Sequence, residues 1–321
     1  MKTIKLFSFI LLLVALYNCT KDKTTIASVQ TYSPQFISSS SATVGCVVLS
    51  DGGSSITSCG IYLSTSQNPE TTGSKLEIGN DTGTFLGKVT ELNTNTQYYI
   101  KAYAINKNGK AYGEQINFTT PSTITDFDNN VYETVKIGNQ TWMAENLRTT
   151  HYLNGNAINT TNPATLDIIN QTSPKYQWTY DGNDTYISTY GKLYTWYVIT
   201  DSRKVCPIGW HIPSDNEWST LETTLGGNQI AANKLKEEGN THWESPYNQD
   251  ATDESCFSGL PAGYRDWNGT FFQIKSDGYW WSSTESETVR SYARTVNAGS
   301  PVIGRFGAIK SWGISVRCVK D

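Results

Sequence analysis

Cys206-Pro207-Ile208-Gly209-Trp210-His211-Ile212-Pro213-Ser214 runs directly into Asp215-Asn216-Glu217-Trp218. Ser214 is placed to cap a helix, and Glu217, three residues on, completes a capping box, in which each side chain satisfies the other's free amide. Trp218, Leu221 and Leu225 fall on one helical face, and Gly226-Gly227 ends the helix. A second helix is predicted over Gln229–Glu238, closed by Gly239. On either side the pattern is one of short strands and turns. Upstream, Val131-Tyr132 and Val135-Lys136-Ile137 alternate as strand, Gly138-Asn139 turns the chain, and Gln140–Met143 returns it. Downstream lie Gly259–Asp266, then Tyr279-Trp280-Trp281-Ser282-Ser283-Thr284, then Gly313–Val319.

Composition divides the chain around this region. All 10 tryptophans follow residue 140, whereas residues 20–120 contain none, so two domains of different type are expected in the 321 residues. Charged residues make up 17% and hydrophobic ones 37%, the balance of a folded chain. A net charge of -4 and a pI near 5.5 argue against a nucleic-acid partner, which needs a surplus of Lys and Arg on one face.

The ordered blocks from Asp128 to Asp321 resemble the Fibrobacter succinogenes major paralogous domain. That resemblance implies an α+β, C-type-lectin-like fold with two early helices and a loop-rich antiparallel sheet. It implies binding or adhesion at a bacterial surface and no agreed enzymatic activity; fold alone does not give function. Cys256-Phe257 departs from the family, which usually has Gly-Phe, so Cys256 is either an unpaired thiol or a small space-filling side chain. Of the possible disulfides, Cys206 with Cys318 is preferred: the two flank regions which that fold ties together. Closing a loop of 318 − 206 = 112 residues stabilises by roughly 4–5 kcal/mol in the chain-entropy model.

Residues 28–120 read as an all-β sandwich. Thr43–Leu49, Thr57–Ser64 and Gln97–Ile105 are rich in β-branched and aromatic residues, with turns at Asp51-Gly52-Gly53 and Asn108-Gly109. Leu92, Thr96 and Tyr98, followed by Ile100, Ala102 and Ala104 at period two, resemble the corner and following strand of fibronectin type III domains, with Thr94 where proline is usual. In that resemblance Tyr98 bonds back to its own loop. Cys46 and Cys59 are expected to pair in an oxidising compartment. This domain is read as a spacer, joined to residues 128–321 by a linker at 121–127.

Residues 1–18 form a signal peptide: two lysines within Met1–Lys5, then the apolar run Leu6–Leu16, too short to span a bilayer. Leu16-Tyr17-Asn18-Cys19 resembles a lipobox, and Thr20-Lys21-Asp22-Lys23 resembles the tag that routes Bacteroidetes lipoproteins to the cell surface. The expectation is lipidation at Cys19, an anchor and linker over 19–27, and display on the outer membrane. Acyl chains contribute about 0.8 kcal/mol per buried CH₂.

Chemistry is sparse. His151, His211 and His242 lie far apart, and no paired-cysteine zinc motif is present. His211 is read as a hydrogen-bonded structural residue. No cofactor is expected. Calcium is the one metal considered, with Asp250, Asp253 and Glu254 as an oxygen-rich loop. There is no G-x-S-x-G or P-loop. Trp196, Trp210, Trp218, Trp280 and Trp312 are assigned to the core. Trp178, Trp243 and Trp267 lie in polar stretches and are the candidate ligand-binding aromatics, with Asp266 and Asn268 as polar partners. The functional expectation is a non-enzymatic surface lipoprotein binding a glycan or a surface or matrix protein. The alternatives are a structural or fimbria-associated component, and an enzyme related to the formylglycine-generating or hydrolase folds.

Overall fold

A computed structural model describes residues 24–321. The signal peptide and Cys19 lie outside the described residues. Strands account for 41% and helices for 11%, so the molecule is mostly β and built from several sheets.

The N-terminal module is a sandwich of two antiparallel sheets. One holds β1 (Ser28–Gln35), β3 (Ala42–Ser50) and β6 (Gly83–Val89) in the order β1-β3-β6. The other holds β4 (Ser58–Ser64), β5 (Ser74–Gly79), β7 (Gln97–Asn106) and β8 (Gly109–Thr119) in the order β5-β4-β7-β8. Alternating residues meet between the sheets: Val44, Cys46 and Val48 from one, Ile61, Ile100, Ala102 and Ala104 from the other. The Tyr98 hydroxyl accepts a 2.9 Å bond from the Asn93 amide, tying the corner to its strand.

Cys46 and Cys59 are free thiols, not the expected disulfide. They sit on strands of opposite sheets and pack as small apolar groups in the core. Burial, with the neighbouring Cys59, pushes the Cys46 thiol up to about 12.

The boundary between the modules differs from the expected one. β2 (Ile37–Ser38) leaves the sandwich and pairs antiparallel with β11 (Thr134–Ile137). It becomes the edge of a five-stranded sheet that continues through β12 (Gln140–Met143), Val319–Lys320 and Trp210–His211. Phe36, with φ 48°, is buried in the same core cluster as Val135, Trp142 and Trp218 of the C-terminal domain. The expected linker is structured as well: β9 (Ile124–Thr125) pairs with β10 (Val131–Tyr132).

The capping box forms as read. Ser214 accepts from the Glu217 amide, the Glu217 carboxylate accepts from the Ser214 amide, and the helix runs Asp215–Thr224. The second helix is shorter than expected, Ala231–Leu235. Lys236 adopts extended backbone there and bridges to Gly259, and its buried ammonium donates to the carbonyls of Asn297, Ala298 and Ser300. Those three acceptors hold the lysine outside any helical turn. A three-stranded sheet, Asp277–Glu287, Arg290–Asn297 and Gly304–Ile309, completes the domain.

Cys206 and Cys318 are joined, with Cα atoms 6.0 Å apart. Cys256 is a buried free thiol 3.5 Å from the Ser41 hydroxyl of the N-terminal module. Its φ of 54° lies in the left-handed region that glycine favours.

Candidate functional site

The three candidate tryptophans do not form one site. Trp178 is buried: its indole N–H donates 2.8 Å to Thr161 Oγ1, and the Arg265 guanidinium covers its ring at 4.1 Å. Trp243 is buried in the main core with Trp142 and Trp218. Polar flanking sequence suggested exposure, but folding brought other segments over both rings. Trp267 is half-buried in the turn between strands Ala262–Arg265 and Phe271–Ile274. Beside it, Asp266 accepts from the Asn268 amide and Asn268 accepts from the Thr270 amide, so both side chains shape the turn itself.

The three candidate calcium ligands do not converge. Asp253 accepts from the Ser258 amide and hydroxyl, Glu254 faces Lys234, and Asp250 points to solvent. Among the described residues no three His, Cys, Asp or Glu side chains gather as metal ligands. Each histidine meets a carboxylate: His151 with Asp128, His242 with Glu237, and His211 with both Glu217 and Asp321.

The aromatic surface lies on the neighbouring face. A cleft of about 260 Å³ is lined by Tyr264, Tyr279, Thr295, Gly304, Arg305, Phe306 and Trp312. The hairpin Ala262–Ile274 supplies Tyr264. Alternation along its first strand sends Arg265 inward and Tyr264 to the cleft. Gly263, at φ 63°, is required there, because a Cβ would fall 2.1 Å from the Phe272 carbonyl oxygen. Tyr264 stacks on its cross-strand partner Phe272 at 5.3 Å and on Trp312 at 4.8 Å, giving three near-parallel rings. Trp312 is held in place by the backbone bridge between Arg265 and Gly313.

The three-stranded sheet forms the other wall. Tyr279 lies opposite Thr295, and Thr295 opposite Gly304, whose missing side chain leaves the floor open. The Tyr279 hydroxyl donates to Gln273 at 2.6 Å, and Phe306 meets the Tyr279 ring edge-on at 5.9 Å. Burial pushes the Tyr279 phenol well above its ordinary range. Two polar atoms are left over. The Trp312 indole N–H is buried with no acceptor, and the Thr295 hydroxyl, beside that of Tyr279, makes no well-aligned bond. A buried donor without a partner costs about 1–3 kcal/mol. Trp312 had been assigned to the core; nothing in its local sequence marks it, because the stack is assembled from three separate segments.

The chemistry-bearing alternative is a cleft of about 350 Å³ at the junction of the modules, lined by Lys88, Glu133, Glu145, Asp253 and Cys256 among others. Three of its carboxylates are already engaged, Glu133 by Ser39 and Ser40, Glu145 by Arg148 and the Glu133 amide, and Asp253 by Ser258, while Glu91 on its rim makes no ion pair among the described residues.

Residues 135–320 match the sequence profile of the family described as the Fibrobacter succinogenes major domain. No curated protein matches the chain. Among solved structures, domains A168–A170 of titin align at 22% identity over 31% of this chain and 32% of that one, with a TM-score of 0.23.

Proposed function

This chain belongs to the Fibrobacter succinogenes major domain family, and from that premise we propose that it is a non-enzymatic recognition protein of the outer surface, binding a glycan across the aromatic cleft. The observation that carries the reading is the concentration of four aromatic side chains, Tyr264, Tyr279, Phe306 and Trp312, around one open cleft, with Tyr264 stacked on Trp312. Aromatic rings bury the C–H face of a pyranose. None of the residues lining the cleft is His, Cys, Asp, Glu or Lys. The reading requires no calcium.

The C-terminal domain is proposed as C-type-lectin-like, supported by helices Asp215–Thr224 and Ala231–Leu235 and by the bridge from Cys206, which precedes them, to Cys318 beside the last strand. The N-terminal module is proposed as fibronectin type III-like, supported by its three-plus-four strand order and the Tyr98 corner bond. A lipid on Cys19 places the molecule at the outer membrane, with the sandwich holding the lectin-like domain outward.

A glycan array with the full chain and with Trp312→Ala tests the cleft. Binding weakened at least about tenfold by the substitution supports the reading, as expected for a central aromatic anchor. An array without any hit removes it. Palmitate labelling lost in Cys19→Ser supports the anchor, and labelling that persists ends it.

A further inference from the structure

Arg305 is the one charged residue lining the aromatic cleft, and its surroundings bear on what the cleft accepts. Its Nε and Nη2 are both taken by the Asp215 carboxylate, at 2.9 Å each, and its guanidinium lies 3.7 Å over the Tyr292 ring. Asp215 also receives Arg294 Nη1 at 2.7 Å, and Glu222 receives Arg294 Nε. The network thus sets two guanidiniums against two carboxylates, and its net charge is zero. Arg305 Nη1 makes no well-aligned hydrogen bond among the described residues, although the Tyr292 phenol also stands beside the guanidinium, and the Arg305 side chain is 47% exposed.

We propose that the cleft takes a single uncharged pyranose ring, with Arg305 acting as a fixed hydrogen-bond donor rather than a counter-ion. This rests on the reading of the cleft as a glycan site. An anionic sugar placed against Arg305 would stand beside Asp215, and would have to displace a bidentate carboxylate already in ideal geometry. The Arg305 charge it sought is already matched by Asp215, so an anionic group gains no unbalanced counter-charge there. A neutral hydroxyl or ring oxygen meets no such opposition. It can accept from Arg305 Nη1 while its C–H face covers the exposed aromatic rings of the cleft. Stacking on Tyr292 and the grip of Asp215 hold the guanidinium plane still, so little side-chain entropy is lost on binding. The volume, about 260 Å³, is below the ~300–1,000 Å³ of pockets that enclose drug-sized ligands, which suits one ring rather than a buried oligomer.

The test is calorimetric titration of the detergent-solubilised full chain with two probe sets: neutral cello-, manno- and galacto-oligosaccharides, and anionic oligogalacturonates and sialyllactose. The expected result is binding within the neutral set, changing less than about twofold between roughly 50 and 500 mM salt. Trp312→Ala should abolish it, and Arg305→Lys, which keeps the charge but loses the fork, should weaken it about tenfold. Asp215→Asn, which leaves Arg305 unbalanced, should raise the relative affinity for the anionic set. Tighter binding of the anionic set, falling steeply with salt and lost in Trp312→Ala, would overturn the neutral-ligand inference while leaving the site in place. No binding of either set, or binding untouched by Trp312→Ala, would instead remove the site itself.

Discussion

The two modules satisfy their backbones in different ways. In the N-terminal sandwich, seven strands of six to eleven residues pair amide to carbonyl along their lengths. In the C-terminal domain many strands are only two to four residues long, and side chains take over. Buried Arg265 donates to the carbonyls of Ala164, Leu166 and Asp266. Buried Arg317 donates to Asn146 and to the carbonyls of Met143, Phe257 and Ser258, and makes no direct ion pair among the described residues. Loops carry polar backbone that must find donors once water is excluded, and a guanidinium offers five in a planar fork. A loop-rich domain can therefore be as ordered as a sandwich, but its order depends on single residues rather than on repeated ladders.

That contrast can be broken at the disulfide. Converting Cys206 and Cys318 to alanine opens a 112-residue loop and should destabilise the C-terminal domain by about 4–5 kcal/mol. Chemical denaturation followed by tryptophan fluorescence reads this domain alone, because every tryptophan lies in it. An unchanged midpoint would show that the arginines suffice without the bridge.

Phe36→Ala should cost about 3–4 kcal/mol, and the loss should appear in the same tryptophan signal although the residue belongs to β1's continuation in the first module. A loss confined to the sandwich would refute the shared core. Tyr98→Phe removes only the bond from the Asn93 amide and should cost about 1 kcal/mol, in the sandwich and not in the tryptophan signal.

The smallest effect is at His211. Burial pushes its pKa down, but hydrogen bonds to Asp321 and Glu217 outweigh this, and the value stands above the ordinary one. The folded state thus favours the imidazolium. The contribution is fully present below the unfolded value of about 6.5 and is lost as pH rises through the raised one. With 41% of the side chain exposed, the effect is small. Melting temperatures of the parent and His211→Gln should differ at about pH 6 and converge by about pH 9. A gap that widens with pH would reverse the assignment.

Much of the architecture was legible because its causes are local. The Ser214–Glu217 box, the Gly138-Asn139 turn and the alternation of Ile100, Ala102 and Ala104 each state a backbone conformation within a few residues. The failures share the opposite property. Trp178 and Trp243 stand in polar stretches yet are covered by Arg265 and by the main core, which are remote in sequence. The second helix ends early because Lys236 reaches carbonyls about 60 residues away.

By itself the sequence determined the family, the two modules, the first helix and its cap, and the preferred cysteine pair. These follow from short-range periodicity, capping chemistry and ordered motifs. Only the tertiary structure decided that Cys46 and Cys59 stay as thiols, that Phe36 and β2 belong to the C-terminal sheet and core, and that Trp312 rather than Trp178 or Trp243 lines a cleft. The physical reason is burial: exposure of a side chain is set by what packs over it, and for these residues that partner lies far along the chain.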